Sequence, residues 1–282
     1  MKKISALILA VIIAALAAGC TPDTKPADTT TAADTVQTTE AEVTQTEPVS
    51  STQAAATETE ATSAEETSAP EENSEAPTEA VPATTAEIVA LFNESANKIK
   101  TNATKVVKNY EKRTVNNDKV VIPAGLESTA ESMIAKFMGD DTEPIIYATK
   151  AEIQSEYLVP DQSYVSKLNP AYVTSATCTD TGKEYKIVLK LKNQTSPTAG
   201  VGIGAVCDVI EASEVAGKAP FIEDFSTEYY SCVVKATIDK ATGRMVSSNY
   251  TTPLVLKIRV NMFGTHDASL GFTFEKDYTI TY

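Results

Sequence analysis

Residues 226–282 read STEYYSCVVKATIDKATGRMVSSNYTTPLVLKIRVNMFGTHDASLGFTFEKDYTITY. The stretch holds three long segments in which apolar and polar residues alternate. In the third segment, the apolar side chains that share one parity are Ala268, Leu270, Phe272, Phe274, Tyr278 and Ile280. Because successive side chains of a strand point to opposite faces, a period of two indicates strands that bury one face. We therefore expect the domain to end in a three-stranded antiparallel meander.

The pairing of these three segments follows from their apolar faces. Residues Asp239–Arg244 form the turn from the first segment, Tyr230–Ile238, to the second. We expect Ile238 to lie opposite Val246, because a slip of one residue would turn every core side chain towards water. The second segment keeps one apolar parity up to Met262, so Pro253 must lie at an edge or a bend. The third segment reaches the last residue of the chain, so trimming this end should damage the fold.

The first nineteen residues have the organisation of an export signal. Two lysines follow Met1, an apolar run spans Ile4–Ala18, and small residues then lead to Cys20. The run is too short for a membrane-spanning helix, and we therefore leave residues 1–19 out of the fold.

The residues Leu16-Ala17-Ala18-Gly19-Cys20 resemble the lipobox of bacterial lipoproteins. The resemblance implies cleavage before Cys20 by signal peptidase II, a diacylglycerol on the cysteine sulfur, and fatty-acid chains such as palmitate in the membrane. It also implies a position on the outer face of the cell membrane, exposed to the cell wall or the exterior. The family more often has leucine where this chain has Ala17. The alternative is an ordinary secretory signal cut near Ala18, which would leave Cys20 unmodified.

Residues 20–83 have the composition of a disordered tether. From residue 21 onwards this segment contains no Ile, Leu, Met, Phe, Tyr or Trp, and it carries fourteen acidic residues against Lys25 alone, a net charge of −13. Such a segment cannot bury enough apolar surface to fold. As a flexible coil it would span about 45 Å, which is enough to hold a domain away from a membrane. The remaining residues, 84–282, carry a net charge of only −3.

Two amphipathic helices are predicted at the start of the domain. Thr84 and Glu87 have the spacing of a capping box, and the stripe that follows consists of Ile88, Leu91, Phe92, Ser95, Ala96 and Ile99. The residues expected on the solvent side of this helix are Glu94, Asn97, Lys98 and Lys100. The second helix is predicted over Leu126–Phe137, after Pro123 and before Gly139.

The segment Ala103–Val115 fits a helix or a strand, and its β-branched residues favour a strand. It contains four basic residues, namely Lys105, Lys108, Lys112 and Arg113. We do not expect nucleic acid as a partner, because an exported domain of negative net charge behind an acidic tether would repel phosphate.

Shorter strands complete the predicted sheet. We expect short strands at Lys119–Ile122 and Pro144–Thr149, and a hairpin formed by Val173–Cys178 and Glu184–Lys192. Helices first and strands last indicate an α+β fold, with two N-terminal helices packed on a curved antiparallel sheet of about six or seven strands. This arrangement resembles the lipid-carrier lipoproteins of the LolA and LppX kind. The segments 84–100, 173–178 and 239–250 also resemble an uncharacterised domain of secreted Gram-positive proteins, without a known activity.

The sequence predicts no catalytic residue, cofactor or metal site. His266 is the only histidine, and it falls in the turn expected at Phe263–Asp267. Cys178, Cys207 and Cys232 lack the spacing of a metal site. Cys178 and Cys232 could form a disulfide if their strands are neighbours, although small buried side chains are the simpler interpretation.

Two hypotheses for function follow. The first is a membrane-anchored surface lipoprotein with a non-catalytic structural or protein-interaction domain. The second is a carrier of an apolar or lipid-like ligand held between helices and sheet. The residues predicted to line such a ligand are Leu254, Leu256, Ile258, Leu270, Phe272 and Phe274.

Overall fold

The computed structural model describes residues 80–124, 127, 131, 134, 138, 140–215, 222–261 and 264–282. The α-helices whose bounds lie within these residues are α1 (Thr85–Asn102), α2 (Lys150–Glu156) and α3 (Ala212–Val215). Its first five strands are β1 (Lys105–Val115), β2 (Ile145–Tyr147), β3 (Val173–Asp180), β4 (Glu184–Leu191) and β5 (Gln194–Thr195). The last four strands are β6 (Ile222–Tyr229), β7 (Val233–Asp239), β8 (Arg244–Asn261) and β9 (Thr265–Thr281).

All nine strands belong to one sheet with the order β2-β1-β9-β8-β7-β4-β3, and β6 joins it through β8 and β5 through β6. Every pairing is antiparallel. The prediction of an α+β fold with an antiparallel sheet is confirmed, with nine strands among the described residues in place of the six or seven expected.

The three segments of residues 226–282 form the centre of this sheet. Strands β6 and β7 pair with the same edge of β8, one after the other, while β9 pairs with the opposite edge along almost its whole length. A kink at residues 230–232 separates β6 from β7, and Ser231 in this kink has a φ of 51°. Pro253 lies opposite the kink, where Tyr230 N donates to Pro253 O. The sheet therefore tolerates the missing N–H of Pro253 at a bend, as predicted.

The predicted register at the first turn is wrong by one residue. Ile238 lies opposite Met245, not Val246, because the register shifts between Thr237 and Ile238. Met245 is fully buried, whereas Val246 is half-buried. The bulge adds one residue to β8, so it moves Met245 onto the core side and leaves the rest of the alternation intact.

Helix α1 begins as predicted, with Thr84 and Glu87 forming a capping box. Its apolar stripe packs against the sheet at β3 and β8. The residues that it buries are Ile88, Val89, Phe92, Ser95, Ala96, Ile99 and Lys100. The second predicted helix, Leu126–Phe137, falls on a stretch of which only isolated positions belong to the described residues. Within the described ranges, no helix has the length and apolar character needed to cross a membrane.

The prediction that Asn97 and Lys100 face solvent is wrong. Lys100 is 2% exposed, and its Nζ donates to the carbonyl oxygens of Gln154 at 3.0 Å, Val159 at 2.6 Å and Gln162 at 2.8 Å. Asn97 donates to Ser166 O and accepts from Val165 N. The polar side of α1 thus binds the backbone of the irregular segment 157–169, which the periodicity of the helix alone does not show.

Three local predictions have different outcomes. The segment 103–115 contains strand β1, and Pro144–Thr149 contains β2. Residues 119–122 form no strand: a 3-10 helix spans Asn117–Lys119, and Val121 makes an isolated bridge with Ser269. Helix α2 was not predicted from the sequence, although Thr149 and Glu152 cap it in the same way as α1 is capped.

The two faces of the sheet differ in character. The packed face lies against α1, and the buried residues that β8 contributes to it include Met245, Ser248, Tyr250, Thr252, Leu254, Leu256 and Ile258. The polar face is the opposite one and carries threonine, serine, lysine and acidic side chains, as in β4, where Lys186 and Lys190 are exposed between buried neighbours. The sheet therefore has one largely buried face and one largely solvent-exposed face, as the alternation predicts.

Candidate functional site

The six residues predicted to line an apolar ligand lie together on the packed face. The register places Leu254 opposite Phe272 and Leu256 opposite Leu270. Five of the six are buried and Leu270 is half-buried. The rings of Phe272 and Phe274 are 6.4 Å apart. The pairing of β8 with β9 therefore brings these side chains into one apolar surface.

Two open grooves lie among the described residues. One has a volume of about 380 Å³ and lies beside the polar side chains of Asp224, Lys257, Arg259 and Asp267. The other, of about 420 Å³, lies between α2 and residues 161–163. Of the six predicted lining residues, only Ile258 reaches either groove. The predicted lipid-attachment residue, Cys20, lies outside the described residues.

A buried ionic cluster, which sequence reasoning did not find, occupies the packed face at β1 and β9. We call it the Glu111 cluster, and its members are Lys108, Glu111, Arg113, Asp141 and Lys276. The carboxylate of Glu111 lies 2.7 Å from Lys108 Nζ, 3.1 Å from Arg113 Nε and 4.0 Å from Lys276 Nζ. Arg113 Nη2 also contacts Asp141 Oδ2 at 2.9 Å. Glu111 is only 2% exposed.

The charge of Glu111 is stabilised by its neighbours. Burial alone would raise the pKa of this carboxyl, but Lys276, Lys108 and Arg113 outweigh burial and lower the pKa to about 2. The carboxylate is therefore ionised at neutral pH. A buried charge with three cationic neighbours and hydrogen bonds is a stable arrangement, whereas the same charge without them would be costly.

A bulge in β1 creates this cluster. Lys108 and Glu111 are three positions apart, so an uninterrupted strand would place them on opposite faces. The register of β1 against β9 shifts between Lys108 and Tyr110, which leaves Asn109 as the extra residue. Both Lys108 and Glu111 consequently point to the packed face. The pattern of the sequence offers no signal for this bulge, and for that reason the cluster was missed.

Three tyrosines fill the core beside the Glu111 cluster. The ring of Tyr278 contacts Tyr157 at 5.1 Å and Tyr250 at 6.2 Å, in both cases edge to face. Burial raises the pKa of all three hydroxyls. Tyr157 Oη lies 3.3 Å from Ser248 Oγ. These side chains are neutral at physiological pH, and their role in this position is packing.

On the polar face, a hydrogen-bonded network joins β1, β8 and β9. Tyr110 Oη donates to Glu275 Oε1 at 2.6 Å, and Asn249 Nδ2 donates to Asp277 Oδ1 at 3.3 Å. The hydrogen bond to Glu275 raises the pKa of Tyr110 to about 12 and lowers the pKa of Glu275 itself. The acidic side chains of β9 are thus engaged within the sheet.

The lysines of β4 and β7 on the polar face are not part of this hydrogen-bonded network. Lys186, Lys190 and Lys235 are exposed, and Lys235 lies opposite Val188, between the two lysines of β4. Within the described ranges none of these three lysines forms a salt bridge. This part of the sheet therefore presents three cationic side chains to solvent.

The cysteines do not form the disulfide considered from the sequence. Cys178, Cys207 and Cys232 are free. Cys178 on β3 lies opposite Ile187, whereas Cys232 O accepts from Leu191 N. The two cysteines lie on opposite sides of strand β4 and four residues apart along it. This separation is larger than a disulfide can span.

The described residues contain no group of three or more His, Cys, Asp and Glu side chains that could hold a metal ion. His266 lies within β9 and is exposed, not in the predicted turn. Comparison of the chain with family models, with curated proteins and with solved structures finds no match.

Proposed function

We propose that this chain is a surface lipoprotein, anchored through acyl chains on Cys20, whose α+β domain is a non-catalytic protein-interaction module. The observation that carries the proposal is the polar face of the sheet. It presents exposed Lys186, Lys190 and Lys235 without salt-bridge partners in the described ranges. The tether at residues 20–83 supports the same proposal, because it would hold such a face away from the membrane surface.

A second candidate is a carrier of an apolar ligand, which would need a curved sheet and two helices enclosing a space on the packed face. The clustering of Leu254, Leu256, Leu270, Phe272 and Phe274 favours it. The described grooves do not support it, since of the six predicted lining residues only Ile258 reaches one of them.

Lipid anchoring is tested in growing cells of a bacterium that processes lipoproteins. We expect labelled palmitate to enter the protein, and the Cys20→Ala variant to lose the label and leave the membrane fraction. Two acyl chains hold a protein stably on a bilayer, so the loss should be nearly complete. Cys178→Ala is the matched control, because it removes a free thiol within β3. Equal labelling of wild type and Cys20→Ala would contradict the anchor.

The interaction role is tested by cross-linking on intact cells. A photoreactive residue replaces Lys235, which is exposed on the polar face of β7. We expect a discrete cross-linked protein. A matched probe at exposed Lys150, on α2, should give none. Native mass spectrometry of the detergent-extracted full chain separates the two candidates, because a co-purifying apolar molecule in stoichiometric amount would favour the carrier.

A further inference from the structure

Strand β3 is an edge of the nine-stranded sheet. Within the described ranges it pairs with β4 and with no other strand. Thr181 N donates to Glu184 O at 2.9 Å, which identifies this pair as a hydrogen-bonded pair of the β3–β4 ladder. Hydrogen-bonded and non-hydrogen-bonded pairs alternate in an antiparallel ladder, so the N–H and C=O groups of Ala176 and Cys178 point away from β4.

This edge lacks the features that usually prevent strand addition. Natural edges are protected by lysine, proline or inward-pointing charges. Residues 174–179 contain none of these, and the only irregularity is the register shift between Val173 and Ser175. The side chains of Ser175, Thr177 and Thr179 are exposed. The edge is thus open to a further strand.

The charge next to this edge indicates what kind of strand would bind. Lys186 lies opposite Thr179, and Lys190 lies opposite Ser175, both on the polar face. Neighbouring strands are about 4.8 Å apart, so a strand added to β3 would lie about 10 Å from β4. The long side chain of lysine and that of glutamate together bridge this distance. Carboxylates on alternate residues of the added strand would therefore meet Lys186 and Lys190.

We propose that the free edge of β3 binds an extended acidic segment of a partner protein, which adds as a further strand with its carboxylates over Lys186 and Lys190. The proposal rests on the interaction role proposed above and specifies its partner. Charge argues against the β3 edge of a second copy as the occupant. Two β3 edges would bring four lysines to one face, and the single acidic residue of β3, Asp180, is already paired with Lys240 at 2.6 Å.

The test uses the detergent-extracted full chain and a labelled, end-capped peptide of four Thr-Glu repeats. Peptides of four Thr-Gln and four Thr-Lys repeats are the comparison. We expect the Thr-Glu peptide to bind about tenfold more tightly than Thr-Gln, with an affinity that falls as salt rises, and Thr-Lys not to bind. Hydrogen exchange of the Ala176 and Cys178 amides should slow on binding, because main-chain hydrogen bonds hold an added strand.

Variants locate the binding site. Lys186→Glu/Lys190→Glu changes exposed side chains only and should weaken binding of the Thr-Glu peptide by about tenfold or more. Lys105→Glu/Lys150→Glu is the matched control, since both lysines are exposed and lie on β1 and on the helix that contacts β2, at the other end of the strand order from β3. It should leave the affinity unchanged. Ala176→Pro removes an outward-pointing N–H and should abolish binding. If Ala176→Pro unfolds, the lysine variants still decide the question.

Several results would overturn the proposal. One is equal binding of the Thr-Glu and Thr-Lys peptides, and another is slowed exchange at β2 instead of β3. Slow hydrogen exchange of the Ala176 and Cys178 amides without any peptide would show that the edge is already occupied. The occupant would be a second copy if the protection depends on protein concentration, and another part of the same chain if it does not. If the peptide does not bind but the cellular cross-link persists in Lys186→Glu/Lys190→Glu, the edge assignment is wrong while the interaction role stands.

Discussion

Lys108 Nζ lies 2.7 Å from Glu111 Oε2 on the packed face of the sheet, although strict alternation would place the two residues on opposite faces. The bulge at Asn109 makes this contact possible. Strand β1 therefore carries a buried carboxylate whose charge depends on cations from two strands, Lys108 and Arg113 of β1 and Lys276 of β9. Salt bridges between side chains stabilise the edge of the core near β1, whereas apolar packing stabilises its centre.

Removing the charge of Glu111 should destabilise the fold. Glu111→Gln keeps the size of the side chain but leaves Lys108 and Lys276 without their buried counter-charge. Breaking a buried ion pair from one side typically costs about 3–5 kcal/mol. We expect a loss in the free energy of unfolding of about 3 kcal/mol at pH 7, measured by urea denaturation.

Glu94→Gln is the matched control for this substitution. Glu94 pairs with Lys98 one helical turn away, and its side chain is 69% exposed. An exposed pair of this kind contributes about 0.5 kcal/mol or less. Similar small effects of both substitutions would show that the Glu111 cluster adds nothing to stability.

The contribution of Glu111 should disappear in acid. Its folded pKa of about 2 lies below the ordinary value of 4.5. A lowered folded pKa means that the unfolded chain binds the proton first, so stability is lost as pH falls from about 4.5 to about 2. The difference in unfolding free energy between wild type and Glu111→Gln should therefore shrink over this window. Denaturation at several pH values measures it, and a pH-independent difference would contradict the prediction.

Lys100→Met should destabilise the segment 154–162, whose carbonyl oxygens accept hydrogen bonds from the Lys100 ammonium group. The substitution leaves three carbonyl oxygens, of Gln154, Val159 and Gln162, without their donor. Burial lowers the pKa of Lys100 to about 8, which still leaves it protonated at neutral pH. Only the hydrogen bond to Val159 O is buried, and the other two are part-buried. An unsatisfied buried acceptor costs about 1–3 kcal/mol, so we expect a loss of about 1–3 kcal/mol.

Hydrogen exchange checks where the effect of Lys100→Met arises. Amides of residues 153–165 should exchange faster, while those of β8 and β9 change only in proportion to global stability. Lys98→Met is the comparison, because Lys98 Nζ reaches a single carbonyl oxygen, that of Gly243, at 3.2 Å. An equal effect of the two substitutions would show that the three carbonyl contacts are not the cause.

Deletion of residues 279–282 should destabilise the domain strongly. Ile280 is buried opposite Val106, and Tyr282 Oη donates to Met245 O at 3.1 Å. The deletion removes the pairing of the first part of β1 with β9. Loss of a buried isoleucine alone costs about 2–5 kcal/mol. Thermal unfolding should show a much lower midpoint, whereas adding four Gly and Ser residues after Tyr282 should leave the midpoint unchanged.

The local pattern of the sequence was sufficient for much of this fold. Alternation predicted the long strands of residues 226–282, the hairpin of β3 and β4, and the bend at Pro253. The spacing of Thr84 and Glu87 predicted the start of α1. These features depend on the faces and ends of single elements, so residues close in the chain are enough to specify them.

Only the tertiary structure decided which polar residues enter the core and which edge stays open. Lys108 and Glu111 meet because of a bulge, and Lys100 is buried because a distant segment supplies carbonyl oxygens. The order of strands, which no local pattern encodes, separates Cys178 from Cys232 and places β3 at the edge. Composition and alternation determined an antiparallel sheet with one dry face. The contacts between distant residues determined where that sheet buries charge and which strand lies at its edge.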